Sequence, residues 1–235
     1  MAATLGILQT GSTPGALIDE HGDYPVMFRA MFEALLGAHR AGPAFRVYRV
    51  MDGELPGRAD ACDAWLITGS RHSVLESLPW MRRLAGFIRD LADRDGRLAG
   101  ICFGHQIMAA ALGGRVDRSG GWVLGRQRYR LATPSGGRDS IGLNAFHQDQ
   151  VVSPPDSARV LGTSDTGPYS ILEYGASMIS TQAHPEFDNR FLEALIDWRL
   201  KDELSASRLA AIGAGLESPP DSERMARMIL DRLAI

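Results

Sequence analysis

Leu98-Ala-Gly-Ile-Cys-Phe-Gly-His-Gln106 is the stretch from which the fold can be read. A short apolar run ends in a cysteine set between two glycines, Gly100 and Gly104. An apolar helical pattern follows from Gln106 to Leu112 and closes at Gly113-Gly114. Strand, sharp turn and helix together form the setting of a nucleophile elbow. A strained turn holds the nucleophile, and small flanking residues let the backbone pass. The first amides and the dipole of the helix favour a negative sulfur and can bind an oxyanion. The plainer alternative is a core cysteine wedged between strand and helix. Cys62 has no such setting and reads as structural.

Upstream of the elbow, apolar stretches alternate with helical patterns. Thr4–Gln9, Phe45–Val50, Ala64–Thr68 and Arg97–Ile101 read as strands. Val26–His39 and Pro79–Arg94 read as helices, with stripes through Met27, Met31 and Leu35, and through Leu84, Ile88 and Leu91. That alternation indicates an α/β fold, a mostly parallel sheet with helices on both faces. Gly11–Tyr24, rich in Gly, Pro and Asp, reads as a loop.

Downstream of Gly114 the texture changes. Val116–Leu131 and Gly142–Ser164 read as antiparallel strands, and Tyr169–Tyr174 with Ser177–Gln182 as a hairpin turning near Gly175. Arg126, Arg128 and Arg130 alternate and fit an exposed strand face. Asp188 is placed to cap a helix to Leu204, with Phe191, Leu192, Leu195, Ile196 and Trp198 placed to pack. Residues 213–220 read as a linker to a last amphipathic helix, Ser222–Ala234, and not as a domain boundary. The division expected is a main domain over 1–204 and a helical extension over 205–235 packed on it.

A nucleophilic cysteine needs a proton acceptor, and the acceptor needs an orienter. The histidines are His21, His39, His72, His105, His147 and His184. His39 closes a helix, and His105 lies in the elbow helix, facing a neighbouring loop. His184 sits in Thr181-Gln-Ala-His-Pro-Glu-Phe187, after an apolar strand. Pro185 biases it toward an extended conformation. In extended chain, residues i and i+2 share a side, so Glu186 can face the same site. The alternative is a polar loop at a helix start, with Glu186 a first-turn acid.

Gly-x-Cys-x-Gly-x-Gln at 100–106, followed about eighty residues later by His-Pro-Glu at 184–186, resembles the class I glutamine amidotransferases. The likeness runs from the first strand to about Arg199. It implies a flavodoxin-like three-layer sandwich with a small added antiparallel sheet. It implies that Cys102 attacks the glutamine side-chain amide, that His184 shuttles the proton and that Glu186 orients His184. Ammonia leaves, and a γ-glutamyl thioester is hydrolysed to glutamate. An oxyanion hole is implied at the amide of Phe103 and in the loop at Gly69-Ser70, where many members carry Gly-Gly-Pro. Gln106 is implied to help hold the substrate. His147-Gln148-Asp149 matches a segment lining the same cleft, with a polar turn between strands as the alternative. Within the family the closest flavour is a stand-alone group resembling the amidotransferase domain of GMP synthase. Some of that group resemble γ-glutamyl peptidases, which use the same triad and differ only in the leaving amine. A non-catalytic relative is disfavoured because Cys, His and Glu are all present.

Composition narrows the remaining classes. The chain has 235 residues, and 25 Lys+Arg against 28 Asp+Glu give a net charge of −3. That balance lacks the basic excess of a nucleic-acid binder. No apolar run approaches the roughly 18–20 residues that cross a bilayer. The first ten residues read as a strand, not as a signal peptide. Two cysteines make neither a disulfide framework nor a zinc site, which fits a reducing cytoplasm. No cofactor and no metal are expected. The expected partners are a glutamine or γ-glutamyl substrate and, for a chain with no visible ATP-using domain, a separate ammonia-accepting synthetase.

Overall fold

A computed structural model of the chain describes residues 3–37, 42–132 and 139–235; His39 lies outside them. The strands are β1 (Thr4–Gln9), β2 (Ala44–Arg49), β3 (Ala64–Ile67), β4 (Leu98–Ile101), β5 (Arg115–Leu131), β6 (Asp139–Ser153), β7 (Ala158–Thr163), β8 (Ile171–Tyr174) and β9 (Met178–Thr181). The helices are α1 (Gly15–His21), α2 (Tyr24–Leu36), α3 (Pro79–Asp93), α4 (Phe103–Ala111), α5 (Asn189–Leu200), α6 (Ala206–Gly215) and α7 (Ser222–Leu233).

The strands form one mixed sheet in the order β2-β1-β3-β4-β9-β8-β7-β5-β6. From β2 to β9 the pairing is parallel, and from β9 to β6 it is antiparallel. The expected added sheet is therefore continuous with the main one. The β8–β9 hairpin, turning through Gly175 at φ +59°, lets the sheet change direction. The long β5–β6 ribbon joins it only at Arg130↔Thr163 and Leu131↔Gly162.

Strand pleating sends alternate side chains to opposite faces. Leu5, Ile7, Leu66, Ala99 and Ile101 pack on one side with residues of α2, α5 and α7. Leu8, Trp65, Ile67 and Leu98 pack on the other with α3 and α4. Both faces are covered, which makes three layers. Among the described residues no helix is long and apolar enough to cross a membrane.

Two helices go beyond the sequence expectation. Residues expected as loop contain α1, and α6 precedes the linker. Neither buries a residue, so neither carries an apolar stripe. α5 ends at Leu200, and its Trp198 is 53% exposed instead of packed. His105 is wholly buried, with Nδ1 2.7 Å from Ser180 Oγ on β9, not against a loop. Arg126 is not on a free strand face. It donates to Asn144 Oδ1 (3.0 Å), Asn189 Oδ1 (2.8 Å) and the carbonyls of Ser218 and Pro219.

Candidate active site

The elbow is drawn tight by its neighbours. Cys102 follows β4 directly, precedes α4 and holds φ 51°, ψ −99°, outside the ordinary regions for a side-chain-bearing residue. Its amide donates to the Thr181 carbonyl on β9 at 2.8 Å, which fixes the turn to the sheet. A Cβ at Gly100 would lie 2.5 Å from Met108 Sδ and 2.6 Å from the Gly104 carbonyl. One at Gly104 would lie 2.5 Å from the Ile67 carbonyl. Both glycines are required by backbone approach. Phe103 opens α4, so its amide has no partner within the helix.

His184 arrives from the neighbouring strand. Its amide donates to the Asn144 carbonyl (2.9 Å), and Asn144 Nδ2 donates to the Phe187 carbonyl (2.9 Å). Asn144 thus clamps the His-Pro-Glu turn at both ends. His184 Nδ1 lies 2.8 Å from Glu186 Oε1, and both side chains are almost fully buried. The same ring hydrogen-bonds the Cys102 side chain, a bond that falls to Nε2 because Nδ1 is occupied. Phe187 stacks on it at 3.9 Å between centroids. A Cβ at Gly69 would be 2.8 Å from His184 Cε1, so the loop passes the imidazole only as glycine. Burial disfavours a charged His184, but the negative charges of Cys102 and Glu186 outweigh it and raise its pKa to about 10. Burial, Glu186 and Cys102 together push the Tyr24 phenol upward.

From the sulfur a chain of polar groups runs the other way. Gln182 Nε2 donates to Cys102 Sγ at 3.6 Å. Gln106 Nε2 donates to Gln182 Oε1 (3.2 Å) and to the Asp149 carbonyl (2.7 Å). The Asp149 carboxylate accepts from Arg118 Nε (2.8 Å) and from Ser73 Oγ. His147 lies 3.2 Å from the Asp149 carbonyl through Nδ1, and burial and His184 push it down to about 4.

All of this opens on one cavity of about 730 Å³. Ser70, Cys102, Phe103, Gln106, His147, Gln148, Asp149 and His184 contribute to its wall, so the sequence candidates converge. Glu186 and Gly69 stand behind His184. Gln182, Arg118, Ser73 and Tyr24 escaped the sequence reading. For Gln182 a signal existed: it precedes His184 by two residues in extended chain and shares its side. The others come from elements distant in sequence.

A nucleophilic elbow, a carboxylate-bound histidine and an α/β sheet define a class of cysteine amidohydrolase. The glutamine amidotransferase class-I model matches residues 59–195, and the chain belongs to that family. It is 32% identical over 168 residues to γ-glutamyl peptidase 5 of Arabidopsis thaliana, spanning 66% of this chain and 67% of that protein. It is 30% identical over 129 residues to a glutamine-hydrolyzing GMP synthase subunit of Saccharolobus solfataricus, spanning 53% and 67%. Its fold matches a glutamine amidotransferase structure from Methylobacillus flagellatus with TM-score 0.75 and 22% identity, covering 100% of this chain and 95% of that one. The chain is thus a cysteine-dependent amidohydrolase of the glutamine amidotransferase type.

Proposed function

We propose that Cys102, His184 and Glu186 form the catalytic triad of a γ-glutamyl amide hydrolase. The observation that carries this reading is the buried His184 ring, bonded to Glu186 at 2.8 Å and to Cys102 through its other nitrogen. The Cys102 sulfur attacks the γ-carbonyl carbon, and a C–S bond forms. The oxyanion is met by the amide of Phe103 and by the Gly69-Ser70 loop. The C–N bond breaks as His184 gives its proton to the departing nitrogen. His184 then takes a proton from water, whose oxygen attacks the thioester. The C–S bond breaks, glutamate leaves, and the proton on His184 accompanies the regenerated thiolate. Gln106, His147, Gln148 and Asp149 hold the glutamyl part.

The simplest substrate is glutamine, with ammonia as leaving group and a separate synthetase as its acceptor. A γ-glutamyl peptide is the second reading, supported by the size of the cavity and by the γ-glutamyl peptidase likeness. We also read residues 205–235 as an extension of the same domain, since Met225, Ala226, Ile229, Leu230 and Leu233 are buried in the shared core. A cytoplasmic setting suits two free cysteines, one of them a nucleophile.

The test is release of ammonia or amine by the purified protein. Cys102→Ala is expected to lower kcat by at least about 10⁴-fold with the fold retained, His184→Ala nearly as much, and Glu186→Ala less. Near-wild-type turnover by Cys102→Ala would refute the assignment. A heavier loss from Glu186→Ala than from His184→Ala would reverse the two roles.

A further inference from the structure

The chemistry proposed for His184 divides the cavity, and the subsite inferred on its amine side rests on that reading. A departing amine takes its proton from His184, so it leaves on the His184 side. On the sulfur side stand Gln106, Asp149, Ser73 and Arg118, a polar and charged set suited to the amino-acid end of a glutamyl group. On the His184 side the wall passes through Tyr24 to the loop before α1 and to Leu195, Trp198 and Arg199 of α5, which packs on α1.

Three features of this second half have no use if the leaving group is ammonia. The cavity, about 730 Å³, is of the size that holds drug-sized ligands, roughly 300–1,000 Å³. Trp198 presents a 53% exposed indole to it. Thr13 is only 4% exposed, yet its Oγ1 has no hydrogen-bond partner among the described residues. That hydroxyl sits in a fixed loop. Thr13 N donates to Asp23 Oδ1 (2.8 Å), and Gln9 Nε2 donates to Gly11 O (3.1 Å) and Ser12 Oγ (3.0 Å). A buried hydroxyl on a held loop and against a cavity is a group awaiting a partner.

The geometry points to a leaving-group subsite built from Thr13, Leu195, Trp198 and Arg199. It takes the amine half of a γ-glutamyl peptide whose leaving residue carries an apolar or aromatic side chain. Trp198 and Leu195 cover that side chain, Thr13 Oγ1 bonds the peptide backbone, and Arg199 meets the terminal carboxylate. Arg199 is available for this, since its ion pair with Glu203, at 3.0 Å, is half-exposed.

The experiment is steady-state hydrolysis of γ-glutamyl-phenylalanine, γ-glutamyl-glycine and L-glutamine by wild type, Trp198→Ala and Thr13→Val. The quantity read is the ratio of kcat/KM for each dipeptide to that for glutamine. Trp198→Ala is expected to lower the phenylalanine ratio by about tenfold or more, about 1.4 kcal/mol or more of transition-state binding, and the glycine ratio far less. Thr13→Val is expected to lower both ratios together. Unchanged ratios in both variants would overturn the subsite, because a merely structural role moves all substrates alike. A wild type that prefers glutamine to both dipeptides would also overturn it and leave the triad standing. No turnover of any of the three would overturn the hydrolase reading, and the subsite with it.

Discussion

His184 carries the proposed chemistry because two negative groups hold a proton on it inside the core. Cys102 and Glu186 raise its pKa to about 10 against the effect of burial. Acylation needs that proton, so activity should persist through neutral pH and fall as pH rises through about 10. Glu186→Gln keeps a group that can orient the ring but removes one charge. With one negative neighbour gone the imidazolium is lost at lower pH, so the alkaline limb of kcat/KM should move down. A limb that stays in place in the pH–rate profile of Glu186→Gln would show that Glu186 does not govern the proton on His184. The proposed triad was legible in the sequence because its members sit in two compact motifs, 100–106 and 184–186. Gln182 was missed although it lies beside the second motif, because its role shows only when β9 is placed beside the elbow.

At the scale of elements, the site depends on how closely α4 approaches β3 and β4. A methyl at Gly104 would meet the Ile67 carbonyl at 2.5 Å and Ile67 Cβ at 3.0 Å, neither of which is a flexible chain end. Gly104→Ala should therefore destabilise the protein by about 1–3 kcal/mol and displace Cys102. Gly213→Ala, within α6 and with nothing near the added carbon, should stabilise by about 0.5–1 kcal/mol. Urea unfolding of the two variants checks both signs; equal effects would show that approach at the elbow is not what selects glycine. The helices of this core were legible where they bury a stripe, as α3 does with Leu84, Ile88 and Leu91. α1 and α6 bury nothing and so left no periodic signal.

Across the whole molecule, buried neutral histidines tie stability to pH. Burial and the neighbouring His147 push His105 down to about 3. The unfolded chain takes up a proton near the ordinary imidazole pKa of about 6.5, and the folded chain refuses it until about pH 3. Stability from this residue is therefore full above about pH 6.5 and is lost as pH falls toward 3, at up to about 1.4 kcal/mol per pH unit. His105→Asn, which can still bond Ser180, should lose about 2–3 kcal/mol less than wild type between pH 7 and 4.5. Parallel unfolding curves against pH would contradict the neutral burial of His105. The order of strands and the two helical layers followed from alternation of apolar runs. The cleft did not, because Trp122, Phe146 and Trp198 reach its wall from β5, β6 and α5, elements far apart in the chain.

Acylation of Cys102 by a γ-glutamyl group is the step on which every role assigned to the cleft depends. The most direct measurement is acid-quenched mass spectrometry of the protein mixed with L-glutamine and with γ-glutamyl-phenylalanine, followed by mapping of the modified peptide. A γ-glutamyl adduct on the peptide containing Cys102, absent in Cys102→Ala and regenerating free enzyme and glutamate when left unquenched, is the result expected. Hydrolysis that proceeds with no adduct on Cys102 under any quench time, and that survives Cys102→Ala, would contradict it.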